Sequence, residues 1–254
     1  MTGVQTPHVN GANGVNGTVP ERTVAPGVQF DNIDDTIEAF ARGEFILVLD
    51  SASRENEGDL IIAASDLTPA KCAFMIRHTS GYLCAPLTPA RCLALDLPAM
   101  IPLANSTDPH RTAYTITVDA ADGTTTGISA ADRARTSNLL ADPNAVPTSF
   151  RRPGHVVPLC AREGLIRERQ GHTEAAVEFC RLAGKHMAAV IGEMVTDGEA
   201  DKDGRPEYVG VDMMRRDGCL EFGRKWGIRV CTIEDLVEYV EAKEGKIVGN
   251  KKRG

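Results

Sequence analysis

Beyond an N-terminal stretch with no period, apolar positions recur at two spacings, and each change of spacing marks an element. Ile33, Ile37 and Phe40 fall at helical intervals, behind Asp31 and Asn32 as caps and ahead of Gly43 as a terminator. Phe45-Ile46-Leu47-Val48-Leu49 is apolar without interruption, the pattern of a strand covered on both faces. Leu60 to Ala64 predicts a second such strand. Thr68-Pro69 and Thr88-Pro89 each set a capping side chain before a Pro at the first helical position, so a helix opens at both. Tyr82-Leu83-Cys84-Ala85 between them reads as a short strand. Thr112 to Asp119 alternates, with Tyr114, Ile116 and Val118 on one face and threonines on the other, and predicts a further strand.

Ser129 caps a helix over Ala130 to Leu140. Asp142 to Pro153 holds three prolines and no period, which reads as a loop before a short strand led by Val156-Val157. Thr173 to Ala183 is amphipathic and ends at Gly184; Ala188 to Met194 is a buried strand. Thr196 to Tyr208 is polar, acidic and exposed, Val211 to Trp226 is helical, and Ile228 to Cys231 is a strand. Thr232 with Asp235 caps a last helix. Some strands follow one another directly and others are separated by helices. That mixture predicts a single three-layer α+β domain, a mixed β-sheet flanked by helices, over a strictly doubly wound fold. The catalytic domain is expected at 27–244. Residues 1–26, rich in Gly, Asn, Thr, Val and Pro, read as a disordered tail, and 245–254 as a flexible basic one.

Composition narrows the function. The chain has 254 residues and a net charge of -7, so it lacks the basic footprint of a nucleic-acid binder. An anionic substrate still fits, because a site needs only two or three local cations. No apolar run reaches the roughly 20 residues that span a bilayer, and no secretory leader is apparent. None of the seven cysteines forms a C-x-x-C pair, which argues against structural zinc and for reduced thiols in the cytoplasm.

Five stretches can carry chemistry. Arg54-Glu55-Asn56-Glu57-Gly58-Asp59 places four charges in six residues between two buried strands. A turn needs its Asn and Gly; it does not need three carboxylates, whose repulsion a divalent cation would offset. A solvated hairpin tip is the alternative. Arg169-Gln170-Gly171-His172-Thr173-Glu174 opens a helix, where free N–H groups and a guanidinium suit a phosphate and His172 a metal, although Thr173 and Glu174 are also ordinary helix-start residues. Arg152-Pro153-Gly154-His155 fixes a histidine that is either a general acid–base group or simply exposed. Glu193 ends an apolar strand, at a sheet edge where open sheets hold ligands. Thr124 to Ser129 either cradles an anion or caps the helix that follows.

"RENEGDLI", "TTGISAADRA", "RPGHVVPL" and "RQGHTEAAVEF", in this order, resemble the 3,4-dihydroxy-2-butanone 4-phosphate synthase family of riboflavin biosynthesis, from about Phe30 to about Tyr239. The resemblance implies a lyase that converts D-ribulose 5-phosphate into L-3,4-dihydroxy-2-butanone 4-phosphate and formate by Mg²⁺-dependent enediolate chemistry and a skeletal rearrangement, with Mn²⁺ as a substitute metal. It implies Glu55 and His172 as metal ligands, Arg54, Glu55, Asp59, Thr112, Arg169, Thr173 and Glu193 as substrate contacts, and His155, Glu193, Asp59 and Cys84 as catalytic groups. It also implies a cytoplasmic homodimer with its site near the subunit interface, and no nucleic-acid or membrane partner. Two features depart from the family: Ser51-Ala52-Ser53 where relatives often carry more acid, and a longer loop at 196–208. Without the cysteine cluster of a fused GTP cyclohydrolase II, the chain is expected to be monofunctional. Two other readings remain: a metal-dependent sugar-phosphate isomerase or lyase that releases no formate, and a nucleotide- or RNA-binding module.

Overall fold

The computed structural model describes residues 29–247. From the N-terminal side these form α1 (Ile33–Ala41), β1 (Ile46–Leu49), β2 (Gly58–Ala63), α2 (Pro69–His78), β3 (Cys84–Leu87) and α3 (Pro89–Ala94). There follow β4 (Val118–Ala120), α4 (Ala130–Ala141), β5 (Phe150–Cys160), α5 (His172–Leu182) and β6 (Ala189–Glu193). A polar ribbon contains β7 (Val195–Thr196), β8 (Glu199–Ala200), β9 (Tyr208–Val209) and β10 (Asp212–Met213). The chain closes with α6 (Arg216–Trp226), β11 (Arg229–Thr232) and α7 (Ile233–Glu244). The expected tail at 1–26 lies outside the described residues, as does 248–254.

The capping expectations hold. Asn32, Thr68, Thr88, Ser129 and Thr232 each accept the N–H of the residue three positions on. The strands form one mixed seven-stranded sheet in the order β11-β1-β2-β6-β3-β5-β4, in which only β1–β11 and β3–β5 run parallel. Alternation along the central strands separates two cores. Leu47, Leu49, Leu60 and Ile62 pack with residues of α2, α3, α4 and α6, whereas Ile46, Val48, Ile61 and Ala63 pack with α1, α5 and α7. The domain is therefore α+β with three layers, as the chain pattern predicts.

Three expectations needed correction. The alternating stretch 112–119 is a strand only from Val118; before that, Tyr114 and Thr115 make isolated bridges to Leu159 and Ala99. Asp108 accepts the N–H groups of His110 and Thr112, so a turn at 109–110 takes up the start of the segment and it pairs only in places until Val118. The loop expected up to Pro153 gives way at Phe150 to an eleven-residue β5. A break in the β4–β5 register at Val118/Asp119 accommodates Pro153, which has no N–H to donate. The helix expected from Val211 starts at Arg216, because Asp212 pairs with Thr196 and the Met214 N–H goes to the Met194 carbonyl. The loop 196–208 is exposed as expected, but carries the short β8–β9 pair.

The sheet leaves one end open to chemistry. There β1 hands over to the acidic loop, Asp59 at the start of β2 sits directly opposite Glu193 at the end of β6, and Cys84 opens β3 opposite Ile191. The N-terminus of α5 delivers His172 to the same place.

Candidate active site

One cavity gathers nearly all the expected residues. Arg54, Glu55, Glu57 and Asp59 reach it from the acidic loop and β2, Arg169, His172 and Thr173 from the start of α5, and Cys84, Thr112 and Glu193 from the opposite wall. The apolar side chains of Tyr114, Leu159 and Ile191 complete the lining. His155 is the exception.

His172 is buried, and its Nε2 donates to the Val48 carbonyl at 3.1 Å. That bond fixes the tautomer, so the lone pair of Nδ1 faces the cavity. Burial holds the imidazole below its ordinary pKa and keeps it neutral. Nδ1 lies 4.0 Å from Glu55 Oε2 and 3.6 Å from Asp59 Oδ1, which has no hydrogen-bond partner although it is buried. No hydrogen bond links these three groups to one another, and a cation would bridge them. Asp50, Glu55 and His172 present ligand atoms within 4.8 Å of one another. Asp50, however, is already engaged: its carboxylate accepts Arg54 Nη1 and the backbone N–H groups of Glu55 and Glu57. The Glu55 carboxylate carries a single hydrogen bond, from the same Arg54 Nη1, against three on Asp50. Glu55 and His172 are therefore the pair more open to a divalent ion, and Asp50 shapes the loop that carries Glu55. Sequence reasoning missed Asp50; its signal was a carboxylate immediately after a fully apolar strand.

Asp59 is strongly perturbed. Burial first, and then the charges of Glu193, Glu55, Glu57 and Asp50, hold its carboxyl well above the usual carboxylate range. Glu57 is raised for the same reasons, burial ahead of Glu55 and Glu193. Glu193 is anchored by Ser80, whose Oγ donates to Oε2 at 3.1 Å. Burial pushes the Cys84 thiol up, reinforced by Glu193 and Asp59, so it lines the wall as a neutral thiol.

The phosphate side is built on α5. Arg169 donates to Glu174, to the His110 carbonyl at 3.1 Å and to Thr112 Oγ1 at 3.0 Å. A Cβ on Gly171 would stand 2.4 Å from Arg169 Nη1 and 3.1 Å from Arg54 Nη2. Only glycine at the cap lets two guanidinium groups close over the free N–H groups of the helix start, where an oxyanion is best held. Thr173 adds its hydroxyl beside them.

His155 projects from β5 outside the cavity. Its ring Nδ1–H donates to Asp119 Oδ2 at 2.7 Å, and its backbone N–H to Asp119 Oδ1 at 2.8 Å. Gly127, at φ 98°, gives that pair room, since a Cβ there would fall 2.0 Å from Asp119 Oδ2. The side chain is 41% exposed, with Nε2 turned away from its aspartate. Of the four groups expected to be catalytic, Glu193, Asp59 and Cys84 line the cavity of one chain and His155 does not. The stretch 124–129 serves as a cap: Asp132 accepts Thr125 N, Thr125 Oγ1 and Gly127 N.

A three-layer α+β domain that sets a carboxylate–imidazole pair beside a guanidinium-lined helix start has the parts of a divalent-cation enzyme for a phosphorylated substrate. Comparison with known proteins narrows that class. The profile of the family described as 3,4-dihydroxy-2-butanone 4-phosphate synthase matches residues 34–239. A protein of that name from Pyricularia oryzae is 54% identical over 233 residues, which cover 91% of this chain and 99% of the relative. The Saccharomyces cerevisiae protein is 49% identical, covering 84% and 99%. A crystal structure of 3,4-dihydroxy-2-butanone 4-phosphate synthase in complex with two magnesium ions superposes with a TM-score of 0.83 at 56% identity, covering 86% of this chain and 100% of that one. The chain belongs to the 3,4-dihydroxy-2-butanone 4-phosphate synthase family.

Proposed function

We propose that this chain is the lyase of riboflavin biosynthesis that converts D-ribulose 5-phosphate into L-3,4-dihydroxy-2-butanone 4-phosphate and formate. The observation that carries the reading is the meeting, in one cavity, of the Glu55–His172 pair with the Arg54–Arg169–Gly171 cradle. A divalent cation held by that pair supplies Lewis-acid stabilisation of charge developing on adjacent substrate oxygens. Magnesium is the metal proposed, as in the related crystal structure, with manganese able to replace it.

The protein's own groups do the rest. Arg54, Arg169 and Thr173 grip the phosphate, so that partly reacted species stay bound. Asp59 and Glu193 are register partners across the β2–β6 pair, and burial together with the neighbouring carboxylates raises the Asp59 carboxyl above its ordinary range. That pair is suited to taking a proton from carbon beside the carbonyl and returning it later. Thr112, held by Arg169, contacts the sugar, and the neutral Cys84 thiol closes the wall against it.

His155 completes the chemistry from a second copy of the chain. Asp119 orients it with Nε2 outward and exposed, which fits a group that serves a neighbouring subunit's cavity in a homodimer. The catalytic domain is read as 27–244. A monofunctional enzyme is proposed because the match spans 99% of the Pyricularia relative, against 49% of the longer riboflavin biosynthesis protein RibBA of Salinispora arenicola. A cytoplasmic setting is proposed from the seven free thiols; no helix among the described residues is long and apolar enough to cross a membrane.

The test is incubation with ribulose 5-phosphate, measuring formate with and without a chelator. Formate release that disappears with chelator and returns with Mg²⁺ is expected. Substrate turnover without formate would favour an isomerase, and no turnover at all would overturn the assignment.

A further inference from the structure

The acidic loop at 51–57 has no apolar anchor. Ser51, Ala52 and Ser53 are exposed, and residues 54–57 are half-buried. Asn56 adopts the left-handed region at φ 56°, which costs a non-glycine residue conformational energy. Its conformation therefore rests on polar contacts. Inside the loop, Ser51 O accepts the N–H groups of Arg54 and Asn56, and Asp50 N–H donates to Glu57 O. Beneath it, the Asp50 carboxylate takes the N–H groups of Glu55 and Glu57. Above it lies a residue that none of the four motifs contains. Arg215, at the cap of α6, donates from Nη1 to the Glu55 carbonyl at 3.0 Å and to the Asn56 carbonyl at 2.8 Å. Its other nitrogen, Nη2, stands 3.9 Å from Asp212 Oδ1.

The consequence falls on Glu55. Its N–H is held by Asp50 and its C=O by Arg215, so both peptide planes that flank its Cα are fixed, and with them the direction in which its side chain leaves the backbone. Arg215 follows β10 after one residue, and that residue, Met214, donates its N–H to the carbonyl of Met194, the neighbour of Glu193. One residue thus ties the exit of β6 and the base of the ribbon to the loop that carries the ligand.

We propose that Arg215 is a positioning residue for the metal site: it holds the acidic loop so that Glu55 faces His172. The proposal rests on the reading of Glu55 and His172 as ligands. Arg215 has a side-chain exposure of 46%, so its two bonds contribute little to folding, and their value lies in aiming Glu55.

The experiment titrates Mn²⁺ into the full-length wild type, Arg215→Ala, Arg215→Lys and Glu55→Gln, and records the Tm of each metal-free protein. Arg215→Ala is expected to weaken Mn²⁺ binding at least about 10-fold, as loss of a group that orients a ligand does. Its Tm should stay within about 2 °C of wild type, and excess Mg²⁺ should recover its formate release. Arg215→Lys, which keeps a cationic donor, should fall between Arg215→Ala and wild type. Wild-type affinity in Arg215→Ala beside lost affinity in Glu55→Gln overturns the positioning role and leaves the ligand reading intact. A lowered Tm with unchanged affinity also overturns it. Undiminished affinity in Glu55→Gln removes the ligand reading and this proposal with it.

Discussion

The two halves of the site are constructed in opposite ways. His172 and Thr173 stand on a helix start that is buried against the sheet, with His172 locked to the Val48 carbonyl and Arg169 held by Glu174, His110 and Thr112. Glu55 stands on a loop with no core beneath it, held by Asp50 below and Arg215 above. The first half owes its shape to packing that also stabilises the domain. The second is set by a few hydrogen bonds alone, from the buried Asp50 carboxylate on one side and the half-exposed Arg215 guanidinium on the other. One metal ligand and the Arg169–Thr173 side of the phosphate grip are thus preorganised, while the other ligand can be misaimed without unfolding anything.

The comparison breaks most visibly at the ligands. Glu55→Gln and His172→Asn should each lower formate release by more than about 10³-fold, the several kcal/mol that a bound metal supplies. Only His172→Asn should also lower the Tm, because it leaves the Val48 carbonyl without its donor, a loss of about 1–3 kcal/mol. Equal Tm values for the two variants would show that the halves are not built differently. Gly171→Ala comes next. Its Cβ displaces the far end of Arg169 and with it the pair to the buried Glu174, so the Tm should fall and KM for the phosphorylated substrate should rise by up to about 10²-fold. An unchanged KM would remove the guanidinium cradle from the account. The smallest effect is expected at Ser80→Ala, which takes one exposed hydroxyl donor from Glu193 Oε2 and should cost kcat about fivefold, roughly 1 kcal/mol. A loss as large as that of Glu55→Gln would mean that Glu193 depends on this hydroxyl for its position.

Legibility followed the same division. The helix start at 171–174 was readable because its signals are local: a glycine cap, a preceding Arg and a helical period. The acidic run was equally visible, since three carboxylates in a turn invite explanation. The groups that organise it were not. Asp50, one residue past an apolar strand, lies outside every stretch singled out in the sequence, and Arg215 fell inside a stretch read as helix. The neighbour of His155 was not legible either: Asp119, 36 positions away, holds its ring.

What the sequence determined by itself was each element whose signal lies within a few residues: the capped helices, the strands apolar on both faces, and the motifs that mark the family. Tertiary structure alone decided the order of strands in the sheet, which places Asp59 opposite Glu193, residues 134 positions apart (193 − 59). It also decided which long-range contacts hold the loop and where the strand at 112–119 breaks. The physical reason is the same in each case. Period and capping record local geometry, whereas register, burial and the pairing of polar groups depend on which distant segment occupies the adjoining space.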